Sequence, residues 1–583
     1  MVARSGKTTT GRTRLVSARW LAALMLGSII AAPSAALAIR FGQDDAVELR
    51  GHFYSQFTVA TEPTQQYSQP PIDGGNMKQL RNFYNPELEV DFRKLTGWRS
   101  FFSDLSGRLA IWGFYDAIYD IGPERFAENL LKTKNPPAES AFYSEGYSVA
   151  QALDNTGRRR DGREFYGRRT RVNEAYLNFA KGPFFLRVGR QAISWGEADT
   201  IGLLDANNPF DVLITPGVQI DIDEARIPLW TVRSTYELFS KWGPLSSGFI
   251  DAYWVPGWLD TNTGYLNIQG VSPYSQPPPL QVPPPPIQVF DKLPRYEMGN
   301  SRYGFKFQTV INRDYNLSLW FYRTFPITPI PTLNGFSAGN TYLTTITHHG
   351  LANVIGASMS WYSDMLASVV RSEIELFADE TGFLAHKAIG AAVDSGFTKP
   401  GTTTNANMLR GEFGVDHNFF IPELNPAASF LAIISVVFQA NLSETGSKDY
   451  RTPIIKPSAI ERQQAGGAQA GSVTPPYCDN PHAPGPKECD FVNQDPISAF
   501  LQSTLRSDYA GGRVEPQLTT ILTDRGAFLL TPSVLYRWTD SFLFDIKYIN
   551  THTFGTGNNG YEPGVGLLRD RDQFWFRATY QLN

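Results

Sequence analysis

From about residue 46 to the end of the chain, apolar and polar residues alternate with a period of two over short stretches. In Leu88–Arg93, Leu88, Val90 and Phe92 share one face while Glu89, Asp91 and Arg93 share the other. Phe305 and Phe307 alternate with Lys306 and Gln308, and Val370, Ile374 and Leu376 oppose Arg371, Glu373 and Glu375. The last stretch sets Phe574, Phe576, Ala578, Tyr580 and Leu582 against Trp575, Arg577, Thr579 and Gln581. Segments of about ten residues with this pattern, separated by turns, are what membrane-spanning barrel strands look like.

A soluble sandwich also alternates, so connection lengths decide. Strands are expected near 46–60, 79–95, 107–119, 171–180, 184–191, 229–240, 245–255, 301–311, 315–324, 350–361, 365–378, 407–418, 427–442, 527–538, 541–551 and 572–582. Tight turns at 180–183, 240–244, 312–314 and 363–364 alternate with long connections at 120–170, 256–300, 325–349, 379–406 and 443–526. Short turns on one side and long loops on the other mark an outer-membrane barrel, whose strand number is even. The expectation is an all-β fold, a transmembrane antiparallel up-and-down β-barrel over residues 39–583. It has about sixteen strands, with fourteen or eighteen also open. Gln517–Leu522 is read as an arm of the outer loop 443–526, because a seventeenth strand would break the rhythm.

One stretch interrupts the pattern. After Arg187-Val188-Gly189-Arg190-Gln191 the chain breaks at Trp195-Gly196 and runs on rich in carboxylates, Gly and Pro. No lipid-facing strand could hold Glu197, Asp199, Asp205, Asp211, Asp221, Asp223 and Glu224, so residues 192–228 are expected to fold into or over the lumen. With Arg187, Arg190, Trp195 and Arg226, these charges form either a constriction that selects solutes by field and size or a set of pairs that pins the loop. The two readings overlap, since a pinned loop sets pore width. Asn207-Asn208-Pro209-Phe210-Asp211 is strong turn chemistry under both.

Residues 1–38 read as a secretory signal: Arg4, Lys7, Arg12, Arg14 and Arg19, then the apolar Trp20–Ala32, then Ala36-Leu37-Ala38. Its removal leaves 47 basic and 56 acidic residues and moves the charge from −4 to −9, opposite to a nucleic-acid binder. The mean hydropathy of −0.26 suits a barrel, where every second strand residue faces water. Aromatic content of 13% suits interfacial girdles. Cys478 and Cys489, in a turn-rich stretch, are expected to form a loop disulfide. The run Pro277–Pro286 cannot join a ladder and is expected outside the membrane. Arg158, Arg159, Arg160, Arg163, Arg168, Arg169 and Arg171 fall in or beside the connection 120–170, as a solvated loop or a patch for lipopolysaccharide or the pore mouth.

Catalytic and metal chemistry is poorly supplied. The chain lacks a Walker-type loop, HExxH and GxSxG. Its seven histidines are scattered, and Asp416-His417 point to opposite faces of one strand. No catalytic residue, metal site or cofactor is expected.

Val188-Gly189-Arg190-Gln191, Trp195-Gly196-Glu197-Ala198-Asp199, Asn208-Pro209-Phe210-Asp211, Glu224-Ala225-Arg226-Ile227-Pro228-Leu229-Trp230 and Leu568-Arg569-Asp570-Arg571-Asp572 resemble the signature of a proteobacterial outer-membrane family. It is the one numbered thirteen-oh-two among domains of unknown function. The resemblance implies an exported barrel set among outer-membrane lipid and lipopolysaccharide. It further implies a periplasmic or lipoprotein partner, an RND-type transporter, and a role in moving lipids or hydrophobic compounds. The expected function is an outer-membrane channel or transport component. The alternatives are a closed surface-binding or structural barrel and an outer-membrane hydrolase.

Overall fold

The computed structural model describes residues 38–62, 74–96, 101–121, 143–144, 167–196, 205–211, 222–264, 287–326, 330–336, 343–382, 404–443, 451–455, 491–493, 497–524, 526–553 and 572–582. Eighteen strands make one closed antiparallel sheet. In chain order they are β1 (Val47–Ala60), β2 (Met77–Asp91), β3 (Asp104–Asp116), β4 (Arg168–Lys181), β5 (Phe184–Gln191) and β6 (Leu229–Trp242). Then come β7 (Leu245–Val255), β8 (Arg302–Ile311), β9 (Tyr315–Thr324), β10 (Ala352–Ser363), β11 (Ser368–Gly382) and β12 (Thr404–Phe419). The last are β13 (Phe430–Asn441), β14 (Ile497–Ser507), β15 (Val514–Thr523), β16 (Ala527–Arg537), β17 (Phe542–Thr553) and β18 (Gln573–Leu582). Each strand pairs with its sequence neighbours, and β18 returns to β1 through Gly51↔Leu582 to Ala60↔Gln573. Closure leaves no edge strand to face hydrocarbon unpaired.

The count is eighteen rather than sixteen. Ile497–Ser507 and Val514–Thr523 form a hairpin that the pattern hid, so 443–526 is not a single outer loop; the β13–β14 connection spans 442–496. Two causes are visible. The outward face of β14 mixes Ala499 and Ser503 with Ile497, Leu501 and Leu505, while Phe500 sits on the other face, so the alternation is faint. The β15–β16 connection, 524–526, is also short on the side where the others are long. Adding both strands keeps the count even. At the strand ends, Phe92 opens a short helix, Phe92–Thr96, instead of continuing β2. Arg168, Arg169 and Arg171 belong to β4 and not to a loop.

The faces sort as the alternation requires. Phe305, Leu319, Ile355, Ile374 and Phe413 are exposed on the outside. Their neighbours along the same strands, among them Glu373, Glu375 and Glu412, are buried inside. On β18, Phe574 is exposed while Trp575 is buried. Below Gly51, where β1 runs past the end of β18, the short strand Ile39–Phe41 pairs with Val47–Leu49 and continues the seam. On the long-loop side, Ile330–Phe336, Leu343–His348, Ile287–Leu293 and Tyr143–Ser144 pair into a small separate sheet.

The outward face makes a stability prediction. Ile374→Arg, at the middle of β11, should lower unfolding stability in lipid by about 2–4 kcal/mol, whereas Ile374→Leu should leave it near the wild-type value. Urea titration of the vesicle-inserted protein checks both.

Candidate functional site: a strap across the lumen

At the end of β5 the chain leaves the wall, and its lost ladder partners are replaced one by one. The Gln191 side-chain amide donates to the Thr231 carbonyl (3.1 Å). The Ile193 amide donates to the Asn208 side-chain oxygen (2.7 Å). Asn208 Nδ2 in turn donates to the Ile227 carbonyl (2.9 Å). One asparagine therefore ties the start, middle and end of the segment 192–228. Ile227 N–H donates to the Pro209 carbonyl (2.8 Å) and Asp211 N–H to the Ala225 carbonyl (2.7 Å), with Phe210 bridged to Arg226. Within the segment Asp205 accepts from Ser194 Oγ (3.1 Å) and Asn207 Nδ2 (2.9 Å) and pairs with Arg226 (3.1 Å).

The strap is then clamped at both ends. Trp195 is buried; its indole N–H donates to Asp251 on β7 (2.9 Å). Its ring meets Tyr253 edge-on at 5.0 Å and approaches Tyr322 of β9 at 6.3 Å. Tyr253 donates to Asn207 (2.7 Å) and Thr324 to the Ala206 carbonyl (2.8 Å). Gly196 has φ of 91°, and a Cβ there would lie 2.6 Å from the carboxylate oxygens of Glu373 on β11, so only glycine fits. At the other end Glu224 accepts from Tyr54 on β1 (2.7 Å) and lies 3.7 Å from Arg577 on β18. Asp211 pairs with Arg169, and with Arg171 at 3.8 Å; both guanidiniums lie over Trp112. In a ring of eighteen strands, β9 and β18 are nine apart. A segment that touches both walls crosses the lumen.

Trp195, Asp205, Asp211, Glu224 and Arg226 are thus brought together in this strap. Arg187 faces the lumen beneath it, opposite Arg233 on β6. Arg190 does not belong with them: it pairs across to Trp230 on the outer face, because it lies an odd number of residues from Arg187. Glu197, Asp199, Asp221, the side chain of Asp223, Cys478 and Cys489 lie outside the described residues, as does the proline run. Tyr54, Asp251 and the docking roles of Glu373, Arg169, Arg171 and Arg577 had no motif to announce them; the alternation, which sets Glu373 and Arg577 inward, carried the only signal. Among the described residues, no three His, Cys, Asp or Glu side chains are grouped to hold a metal.

Below the strap the lumen wall is charged and half-exposed. Arg108 on β3 sits between Glu87 (2.8 Å), Glu89 (3.0 Å) and Glu174 (3.1 Å). Within the strap, desolvation pushes the Asp205 carboxyl above the usual aspartate range, against the opposing pull of Arg226 and Asn207.

Trp195→Ala removes both the buried ring and its hydrogen bond, and should destabilise the docked strap by about 3–5 kcal/mol. Tryptic cleavage at Arg226 should become correspondingly faster. Asp205 sets a pH trend. With its folded value raised, the docked state holds the proton more tightly, so this group's contribution falls as pH rises from the ordinary aspartate range through the raised value. Asp205→Asn should flatten that part of the pH profile of cleavage at Arg226.

No curated protein matches the chain by sequence. Among solved structures, Acinetobacter baumannii OccAB1 overlaps 94% of this chain and 99% of its own, at 9% identity and a TM-score of 0.42. The Pseudomonas aeruginosa outer membrane protein opdK overlaps 92% and 98%, at 8% identity and 0.38. The outer membrane channel DcaP of Acinetobacter baumannii overlaps 93% and 99%, at 8% identity and 0.34. Scores of this size leave these as coarse likenesses in shape. Residues 18–466, more than half of the chain and including the whole strap, match the family described as "Protein of unknown function (DUF1302)". The closing motif 568–572 lies beyond that match. The chain belongs to the DUF1302 family.

Proposed function

We propose that this protein is an outer-membrane channel whose lumen is narrowed by the strap 192–228. The observation that carries the reading is the strap's attachment to opposite walls, at Trp195–Tyr322 and Glu224–Arg577, above a wall of half-exposed charge. On this reading Asp205, Asp211 and Glu224 act as pins, and the pinned strap sets pore width. The apolar exterior and the signal-like residues 1–38 support export to the outer membrane.

The charge around Arg108 favours a polar solute for the lumen. Export of lipids or hydrophobic compounds, with a periplasmic or lipoprotein partner and an RND-type transporter, rests on the family resemblance and is the second reading. A hydrolase finds no support in the serine–histidine contact seen among the described residues of the outer wall. Ser368 Oγ lies 2.8 Å from His417 Nδ1, but Ser368 is 3% exposed and donates its proton to the Leu366 carbonyl at 2.7 Å.

Single-channel recording in planar bilayers tests the proposal. The intact protein should conduct, and deletion of 197–224 should raise the conductance severalfold. Silence from both would overturn the channel and favour a closed surface-binding or structural barrel. Neutralising Glu197, Asp199 and Asp211 together should move the reversal potential in a salt gradient; an unmoved potential would remove the strap from ion selection.

A further inference from the structure

Directly under the Trp195 anchor, Arg187 and Arg233 stand opposite each other on the lumen face of β5 and β6. Like charges facing across a ladder destabilise it, so their surroundings matter. Arg233 is answered by Asp251, Nε at 3.0 Å and a terminal nitrogen at 2.6 Å. That carboxylate is also engaged by the Trp195 indole.

Arg187 has no such answer. Among the described residues its guanidinium makes one hydrogen bond, Nε to the neutral Asn178 oxygen at 2.8 Å. The ring of Tyr176 lies under it at 4.0 Å, with Phe185 at 5.6 Å. Glu174 faces the same wall but is held by Arg108 at 3.1 Å. The stacked ring and the Nε bond fix the plane of the guanidinium while its two terminal nitrogens keep their donors. That is the geometry in which arginine takes an oxyanion with two parallel hydrogen bonds.

We infer that Arg187, backed by Arg233 and seated on Tyr176, is an oxyanion subsite in the lumen wall, for the carboxylate or phosphate group of a passing solute. The inference deepens the channel reading by assigning the class of solute group that its wall engages. A bound oxyanion relieves the repulsion between the two arginines. Affinity should be weak, as suits a group that must also let go.

Calorimetry on the full-length protein in detergent micelles tests this without requiring conduction. Sodium benzoate and inorganic phosphate are titrated separately, and their two arms distinguish a carboxylate from a phosphate solute. At least one should bind. Arg187→Gln should weaken it by about tenfold or more, the scale of a lost charge-assisted bond, and Arg187→Lys should restore part. Asn178→Asp is the second variant: it keeps the arginine and nearly the same volume, yet sets an internal carboxylate against Nε, and it should abolish binding. If Arg187→Gln fails to fold, Asn178→Asp carries the test. Failure of both anions to bind, or equal affinity in Asn178→Asp, overturns the subsite. Binding in micelles with no current in bilayers keeps the subsite and removes the channel; current with unchanged binding in the variants does the reverse.

Discussion

An unpaired strand edge in hydrocarbon has no water to satisfy it. The ladder between Gly51–Ala60 and Gln573–Leu582 is therefore the interaction on which the rest of the molecule depends. It joins the two ends of the chain and turns eighteen strands into a ring. Ile39–Phe41 extends the same seam where β18 has ended. Once the ring closes, the inward half of each strand is shielded from lipid, and charges such as Arg108, Glu174 and Arg187 gain an interior in which they can stand.

That interior makes the strap affordable in physical terms. A segment with several carboxylates and few ladder bonds would be expelled from any lipid-facing position. Inside the ring each described charge meets a partner: Asp205 meets Arg226, Asp211 meets Arg169 and Arg171, and Glu224 meets Tyr54 and Arg577. Removing one member of such a pair leaves its partner buried and uncompensated, which costs more than the pair contributes. The two ends are held differently. The β7–β11 side grips by aromatic packing around Trp195, while the β18–β4 side grips by arginines stacked over Trp112 and Tyr54. Salt reaches neither grip readily, because the ion pairs on the β18–β4 side are buried and buried pairs are screened much less than exposed ones.

Much of this was readable along the chain, because the period-two pattern encodes the two solvents of a barrel wall. It set Ile374 outward and Glu373 and Glu375 inward, and it placed Trp575 and Arg577 inside on the closing strand. The strap was legible for the opposite reason: a run of carboxylates fits neither lipid nor ladder. The pattern failed where its contrast fell, at Ala499 and Ser503 of β14, and where the loop rhythm broke at 524–526. Arg190 was grouped with Arg187 by nearness in sequence, although parity sends the two to opposite faces.

The chain by itself determined the closed, two-faced barrel and the exclusion of the carboxylate-rich 192–228 from its lipid-facing wall, since both follow from local alternation and the cost of burying charge. Which wall meets which carboxylate was decided only by the tertiary structure. Glu224 and Arg577 lie 353 positions apart in the sequence, and nothing local to either announces the other. Ring closure alone puts them within reach, because it sets β18 beside β1 and carries the strap across the space between.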